Sequence, residues 1–142
     1  MQVTEFHTMW PEETEQIGEQ MGQALRGTEV IAFEGGLGMG KTAFVRGLAR
    51  GLGSCAEVSS PTFALVHQYG GGRAELYHFD MYRVSGWDDL YSTGFFDYLD
   101  TGVLAIEWSE NIESLLPPDA IRLYLTYGAQ EGERIIRMEN IE

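Results

Sequence analysis

The hydrophobic and polar residues of the chain follow two periods, which predict buried strands alternating with amphipathic helices. Residues 30–33 and 102–106 form short apolar runs that include β-branched side chains, as expected of strands buried on both faces. Over residues 41–52, apolar side chains recur at helical spacing with Arg46 and Arg50 between them. The pattern therefore predicts a strand, a connecting loop and a helix in succession.

The rest of the chain carries weaker signals of the same kinds. Thr8 and Pro11 stand before an amphipathic stretch that Gly27 closes, so we predict a first helix there. Gly94 interrupts a mixed apolar stretch, which predicts one or two short helices around it. The remaining predicted elements are a short helix at residues 111–116, strands at residues 62–69 and 74–79 joined by a hairpin at residues 70–73, and strands at residues 121–127 and 134–138.

The loop between the first predicted strand and the helix after it carries the phosphate-binding pattern G-x-x-x-x-G-K-[ST]. Glycines let the backbone adopt positive φ and approach a phosphate without a Cβ in the way. Successive N–H groups then form an anion-binding nest at the helix N-terminus. Lys41 would reach the β- and γ-phosphates, and the Thr42 hydroxyl would bind Mg²⁺. The predicted nucleotide-binding residues of this segment are Gly35, Gly36, Leu37, Gly38, Met39, Gly40, Lys41, Thr42 and Ala43.

Two acidic residues that follow apolar strands are the candidate catalytic residues. A P-loop needs a carboxylate at the end of a neighbouring strand to hold Mg²⁺ or to orient water. Asp80 follows residues 76–79 and Glu107 follows residues 103–106. Ligands collect at the carboxyl ends of strands in open α/β sheets. Glu107 follows the more apolar strand and is slightly favoured, but both acids stay candidates for catalysis and, with Thr42, for the metal.

Other residues near these motifs have both a structural and a functional interpretation, and the sequence leaves the choice open. Trp108 is either core packing or a wall of the nucleotide site. His67 and His78 are candidate ligands, although a single histidine on a strand is more often structural. Arg83 either reaches a phosphate or pairs with a nearby acid. Residues 60–62 are either a second loop near the γ-phosphate or an ordinary proline turn.

Length and composition indicate a single α/β domain. The chain has 142 residues, of which 44% are hydrophobic, which is enough for one core and too few for two. Residues 1–142 contain no run of 18 apolar residues, no secretory leader pattern and one cysteine, Cys55, so we expect a cytoplasmic protein with no membrane contact. We predict one P-loop NTPase-like domain over residues 1–142, with a mixed central sheet flanked by helices, parallel near the glycine loop and antiparallel toward the edges.

The charge of the chain is the wrong sign for direct binding of nucleic acid. Its formal net charge is −13, with 22 acids against nine basic residues, and its single lysine is Lys41. Tight binding to a polyanion normally needs a patch of Lys and Arg. If nucleic acid is involved, we expect a partner to hold it. The acidity can equally serve solubility alone.

Four separated motifs together resemble one family. They are the P-loop ending at Thr42, the run Ser60-Pro61-Thr62-Phe63, the run His78-Phe79-Asp80-Met81-Tyr82-Arg83 and the run Ile106-Glu107-Trp108. In order and spacing they resemble the TsaE family, small bacterial ATPases of tRNA threonylcarbamoyladenosine synthesis, over about residues 8 to 138. The P-loop alone is generic, whereas the four motifs in combination are distinctive.

The resemblance implies a function and a set of site residues. Members of the family bind ATP with Mg²⁺, hydrolyse it slowly alone and associate with the TsaB and TsaD proteins. TsaD transfers a threonylcarbamoyl group to the adenosine beside the tRNA anticodon, and ATP hydrolysis is thought to reset that complex. The resemblance therefore implies that this chain contacts tRNA only indirectly, through the complex. The matching positions are Lys41 and Thr42 for phosphate and Mg²⁺, Asp80 and Glu107 as essential acids, and Trp108 and Thr14 near the nucleotide.

The chain departs from the family at one position, and two other classes of function are alternatives to the ATPase. Many relatives have Asp where this chain has Gly36, and binding should survive the change because backbone N–H groups do most of the cradling. A small P-loop kinase is one alternative, but such kinases usually have an arginine-supplying lid, and no Arg-rich insertion lies between residues 50 and 103. A non-hydrolysing nucleotide-binding adaptor is the other alternative.

Overall fold

The computed structural model describes residues 3–34, 40–54, 66–81, 84, 87–92 and 94–139. Its strands are β1 (Val3–Thr8), β2 (Val30–Glu34), β3 (Val66–Tyr69), β4 (Leu76–Asp80), β5 (Val103–Glu107), β6 (Ile121–Tyr127) and β7 (Arg134–Glu139). Its helices are α1 (Pro11–Ala24), α2 (Lys41–Gly51), α3 (Trp87–Ser92), α4 (Phe95–Tyr98) and a 3₁₀ helix at Ser109–Leu115.

The seven strands form one mixed sheet in the order β1-β7-β6-β2-β5-β4-β3. Strand β2 runs parallel to β5 and to β6, and β4 runs parallel to β5. The pairs β1–β7, β6–β7 and β3–β4 are antiparallel. The predicted mixed sheet, parallel in the middle and antiparallel toward its edges, is confirmed. The predicted hairpin is also confirmed, but its connection spans residues 70–75 instead of 70–73, because β4 begins at Leu76; residues 62–65 of the predicted strand before it lie outside the described residues.

Side chains alternate between two core layers, one on each face of the sheet. On one face, α1 and α2 cover residues such as Phe33 and Leu76 with their own Phe44 and Leu48. On the other face, α3, α4 and the 3₁₀ helix cover the strands β4 and β5. The two short helices α3 and α4 lie on either side of Gly94, whose positive φ of 76° separates them. The helix of the phosphate motif therefore packs on the first face, which decides where its ligand would lie.

The structure differs from the sequence-based prediction at the N-terminal end and after β5. Thr8 is the last residue of a strand, β1, that the pattern did not predict, because this edge strand is only half-buried. Helix α1 begins at Pro11, and the Glu13 carboxylate accepts hydrogen bonds from the backbone N–H groups of Met9 and Trp10. The helix predicted at residues 111–116 is a 3₁₀ helix that begins earlier, at Ser109.

The helices α1 and α2 approach each other so closely that four glycines are needed at their contact. Gly22 of α1 lies against Gly51 of α2, Gly18 of α1 lies against the backbone of Phe44 and Leu48, and Gly47 of α2 lies against the backbone of Glu15 and Glu19. A Cβ added at Gly22 would stand 2.6 Å from the Leu48 carbonyl oxygen, and the other three positions would clash more severely. Backbone atoms cannot yield as the end of a side chain can, so the contact holds α2 at a fixed distance from α1.

Ion pairs border this glycine contact. The Arg50 guanidinium lies 3.0 Å from a Glu19 oxygen and 2.5 Å from a Glu15 oxygen. Arg46 pairs more loosely with Glu15 at 3.4 Å. Because both arginines are about half exposed, water and salt screen the pairs and each contributes little. The glycine packing is therefore the main constraint on the position of α2.

Replacing Gly47 with alanine should destabilise the protein despite alanine's better helix propensity. The added Cβ would meet the Glu15 carbonyl oxygen and stand 2.8 Å from the Glu19 nitrogen, so the helices must separate. We expect Gly47→Ala to lower the free energy of unfolding by about 2 kcal/mol or more, measured by urea denaturation. The exposed Gln20→Ala on α1 should stay within about 0.5 kcal/mol. An unchanged midpoint for Gly47→Ala would contradict the close contact.

The edge strand β1 is tied to the β6–β7 turn through His7. Its Nε2 lies 3.0 Å from Glu5 and its Nδ1 lies 3.3 Å from Glu133. These hydrogen bonds, first to Glu5 and then to Glu133, raise the pKa of His7 above its ordinary 6.5. The stabilisation is complete below the unfolded-state pKa and is lost as the pH rises through the higher folded-state pKa.

Thermal unfolding at several pH values should therefore show the contribution of His7. Between about pH 6 and pH 8, the melting temperature of the native chain should fall more steeply than that of His7→Gln. Because His7 is exposed, the difference should shrink in about 1 M salt. Equal pH slopes for the two proteins at low salt would show that His7 does not couple protonation to folding.

Candidate functional site

Lys41 is the first residue of α2, and its side chain is buried. The preceding Gly40 has φ of 92°, a left-handed conformation that a larger residue adopts only with strain. The Lys41 side chain is 5% exposed, and its Nζ has no hydrogen-bond partner within the described part of the chain. Nζ lies 5.4 Å from the centroid of the Trp108 ring. A buried ammonium without an acceptor, at a helix N-terminus, is suited to an anionic ligand.

The two predicted acids lie side by side at the carboxyl edge of the sheet. Asp80 ends β4, Glu107 ends β5, and the two are direct register partners in a parallel pair. Each acid comes four residues after an apolar residue, Leu76 or Val103, that packs on the face covered by α2. Even spacing on a strand keeps side chains on one face, so both carboxylates lie on the α2 side.

Hydrogen bonds made by residues that follow β4 and β5 hold the carboxyl ends of these strands together. The Met81 backbone N–H donates to the Glu107 carbonyl oxygen at 3.0 Å, and the Asn111 side-chain amide donates to the Met81 carbonyl oxygen at 2.7 Å. The buried Ser109 hydroxyl donates to the Phe33 carbonyl oxygen at 3.1 Å. The end of β5 is thereby fixed to β4 on one side and to β2, which leads into the glycine loop, on the other.

Glu107 has a buried side-chain partner, His78. His78 Nε2 lies 2.6 Å from Glu107 Oε2. The His78 side chain is completely buried, and that of Glu107 is 12% exposed. His78 precedes Asp80 by two residues on β4, so the spacing H-x-D places both on the α2 face. Sequence reasoning treated His78 as a candidate ligand or a structural residue and did not connect it to Glu107.

Trp108 follows Glu107 with backbone angles that few non-glycine residues adopt. Its φ of 59° and ψ of 40° are left-handed, which costs about 1 kcal/mol or more for such a residue. This turn ends β5 and begins the 3₁₀ helix. It places the indole near Lys41. The side chain also packs at the edge of a core cluster, so the core-packing interpretation is confirmed, and the wall of a nucleotide site stays a prediction.

Thr14 lies against the last glycine of the phosphate motif. A Cβ at Gly40 would be 3.7 Å from the Thr14 methyl carbon, so the two residues are neighbours. The Thr14 hydroxyl pairs with the Thr8 hydroxyl at 2.8 Å, and both residues are buried. Thr14 therefore joins α1 and β1 to the start of α2, and its place near a nucleotide stays a prediction.

The structure brings together many of the residues named from the sequence. Thr42 is half-buried and Ala43 buried, in the first turn of α2. The His67 ring contacts Tyr69, with Nδ1 at 3.3 Å from the hydroxyl oxygen. The roles of Ser109 and Asn111 were missed, because hydrogen bonds to distant carbonyls leave no pattern in sequence. The predicted residues that lie outside the described ones are Gly35, Gly36, Leu37, Gly38, Met39, Arg83 and residues 60–62.

The fold and the site define a P-loop-like α/β protein. A buried strand leads through the glycine motif to a helix that begins with Lys41, beside two parallel strands that end in acids. Residues 8–136 match the family described as threonylcarbamoyl adenosine biosynthesis protein TsaE. The chain belongs to the TsaE family.

Individual relatives agree with this assignment. The chain is 38% identical over 139 residues to the tRNA threonylcarbamoyladenosine biosynthesis protein TsaE of Nostoc sp., covering 94% of this chain and 83% of that protein. It is 40% identical over 126 residues to the protein of the same name from Treponema pallidum, and the match covers 88% of this chain and 92% of that protein. The crystal structure of Bacillus subtilis YdiB superposes with a TM-score of 0.75 at 32% identity, covering 96% of this chain and 84% of YdiB. None of the helices in the described residues is long and apolar enough to cross a membrane.

Removing the buried charge of Lys41 should stabilise the ligand-free protein. Methionine has a similar length and no charge to desolvate, so Lys41→Met should raise the free energy of unfolding by about 1–2 kcal/mol, measured by urea denaturation without nucleotide. Arg46→Met removes an exposed cation from the same helix and should change it by about 0.5 kcal/mol or less. A Lys41→Met protein less stable than the native chain would show that the ammonium is paired in the free protein.

Proposed function

We propose that the chain is a Mg²⁺-dependent ATP-binding and hydrolysing subunit that acts on the TsaB–TsaD complex. In this role it is required for threonylcarbamoylation of the adenosine next to the tRNA anticodon. The relatives named for tRNA threonylcarbamoyladenosine biosynthesis support the pathway. The observation that carries the ATP-binding part is the buried Lys41 ammonium, which lacks a hydrogen-bond acceptor within the described residues.

A nucleoside triphosphate fits the chemistry at the N-terminus of α2. The N-terminal amides of α2 and the Lys41 ammonium supply positive potential at one place, and a phosphate oxygen is the charged acceptor that Nζ lacks. The Trp108 ring, 5.4 Å from Nζ, covers one side of the ammonium and keeps water from it. In this proposal the glycine motif, from Gly35 to Ala43, binds the phosphates, with Thr14 beside Gly40 and Trp108 near the nucleotide.

A magnesium ion fits the oxygen ligands beside Lys41. Mg²⁺ is usually held by one or two carboxylates together with substrate phosphates and several waters. Asp80, Glu107 and the Thr42 hydroxyl are the residues that would hold it. When bound, the ion would neutralise charge that develops on the phosphate oxygens.

Hydrolysis needs a water oriented toward the γ-phosphorus, and we propose this role for the two acids. Water attacks the γ-phosphorus, the bond to the β,γ-bridging oxygen breaks, and ADP and inorganic phosphate leave. Asp80 and Glu107 are adjacent on one face of the sheet, so one of them can orient the water. The hydrogen bonds donated by the Met81 backbone N–H and by the Ser109 hydroxyl fix both strand ends, so in this proposal the acids need little rearrangement to act.

The charge of the chain supports the proposed division of work with its partners. A net charge of −13 repels the phosphates of tRNA, so the proposal places tRNA on the TsaB–TsaD complex and not on this chain. We place this work in the cytoplasm, where bacterial tRNA is modified. Tight binding of tRNA to the isolated chain at physiological salt would contradict this division.

The decisive experiment measures phosphate release from Mg·ATP by the chain alone and with a cognate TsaB–TsaD complex. We expect slow basal turnover that rises when the complex is added. Glu107→Gln should keep ATP binding and lose about 100-fold or more of the turnover, because the carboxylate is removed while the shape is kept. Glu110→Gln makes the same change at an exposed residue three positions later and should behave as the native chain.

The other function classes would give different outcomes in the same assay. ATP binding without turnover, tolerant of Glu107→Gln, would identify a nucleotide-binding adaptor. Consumption of ATP without release of free phosphate, with a phosphorylated metabolite formed, would identify a kinase. Lys41→Met should abolish measurable ATP affinity, because the variant loses a charge-assisted contact to the phosphates. ATP affinity unchanged in Lys41→Met would overturn the assignment of the site.

A further inference from the structure

A buried hydrogen bond between His78 and Glu107 has no role in the proposed reaction as described so far. His78 Nε2 lies 2.6 Å from Glu107 Oε2, and the imidazole is completely buried. We propose that His78 is a positioning residue for Glu107: its Nε2–H holds the carboxylate in the rotamer that presents the other oxygen to Mg²⁺ and the attacking water. The inference rests on the proposed function, and it identifies His78 as the residue that orients Glu107, one of the two proposed catalytic acids.

The tautomer of His78 follows from the geometry of the contact. A carboxylate has only acceptors, so at 2.6 Å the facing nitrogen must carry a hydrogen; two lone pairs would repel at that distance. Nε2 is therefore the donor. Nδ1 is buried and has no hydrogen-bond partner within the part of the chain that is described. The ring thus satisfies Glu107 and leaves its own second nitrogen unsatisfied.

An unsatisfied buried nitrogen is a reason to look for a role other than packing. His78 lies in the middle of β4, between Ala105 of β5 and His67 of β3 in the sheet register. Its neighbours on the α2 face of the strands include the apolar Leu76 and Val103. An apolar side chain would fill such a position without burying a polar atom that has no partner. What the imidazole adds here is its hydrogen bond to Glu107.

The hydrogen bond from His78 is made to one carboxylate oxygen of Glu107, and we propose that the other oxygen faces the metal and the water. His78 is bound to Oε2, and the Glu107 side chain retains 12% exposure at the end of the strand. The Glu107 backbone is fixed by the N–H of Met81 and by the strand pairing. With the backbone and one oxygen fixed, the rotation of the carboxylate is restricted. Such outer hydrogen bonds orient ligands and set the geometry of a metal site.

A matched pair of amide variants separates positioning from general polarity at residue 78. The glutamine Nε2 stands as many bonds from Cα as the histidine Nε2, so His78→Gln can still donate to Glu107. The asparagine Nδ2 corresponds to the histidine Nδ1, the nitrogen that does not face Glu107. Both variants are polar, uncharged and smaller than histidine, so a merely structural role predicts similar losses in the two.

The first measurement is kinetic and follows turnover and metal dependence together. In His78→Asn, we expect kcat with Mg·ATP to fall about 10-fold or more and the half-saturating Mg²⁺ concentration to rise, whereas His78→Gln stays within about 3-fold of native in both. ATP affinity without Mg²⁺ should be unchanged in both variants, since His78 does not touch the phosphates. Equal kcat and equal Mg²⁺ dependence in the two variants would overturn the proposal.

The second measurement needs neither a variant that folds nor an active enzyme. Long-range proton–nitrogen NMR correlations of the ligand-free native chain report which nitrogen of His78 carries a hydrogen. A hydrogen on Nε2 is expected, and a bare Nε2 would overturn the proposal. If native protein with the TsaB–TsaD complex shows no turnover, the proposed function fails. The NMR result and the Mg²⁺-dependent part of nucleotide affinity then still decide the role of His78.

Discussion

The contact between the backbones of α1 and α2 determines where the N-terminal end of α2 lies. Four glycines let the helices approach until carbonyl oxygens replace side chains as the packing surface. Because the helix begins at Lys41, the same contact sets the height of that ammonium above the sheet. Thr14 on α1 then lies against Gly40. A shift of α2 would move the lysine away from the strand ends without changing any residue of the site.

The site combines two carboxylates, which repel each other, with an ammonium whose burial is energetically unfavourable. Two carboxylates lie on adjacent strands, and a single ammonium is buried beside an aromatic ring. In a chain of net charge −13, the cation is placed where water cannot solvate it fully. Desolvation strengthens the electrostatic attraction to an incoming phosphate. The free protein therefore holds the cation in a less favourable environment than the one proposed for the liganded protein, which is a common compromise between stability and function.

The sequence predicted those parts of the fold and site whose signals are local. The β2–α2 order and the strand-terminal acids Asp80 and Glu107 came from periodicity and from one motif. The parallel centre of the sheet was also predicted, because buried strands have a distinctive composition. The edge strand β1 was missed, since half-exposed residues with few apolar side chains do not stand out. The pairing of His78 with Glu107 could not be predicted, because residues 29 positions apart meet only through the register of β4 and β5.

Residues 1–142 contain a single lysine, and it lies at the proposed phosphate site. Reagents that acylate side-chain amines therefore have one target in this chain, the buried Nζ of Lys41. A phosphate bound there would shield the target, so the extent of acylation at Lys41, measured separately from that of any α-amino group, would report occupancy. By the same reasoning, acetylation of a lysine side chain within residues 1–142 could fall only on Lys41, and it would remove the ammonium of the proposed phosphate site.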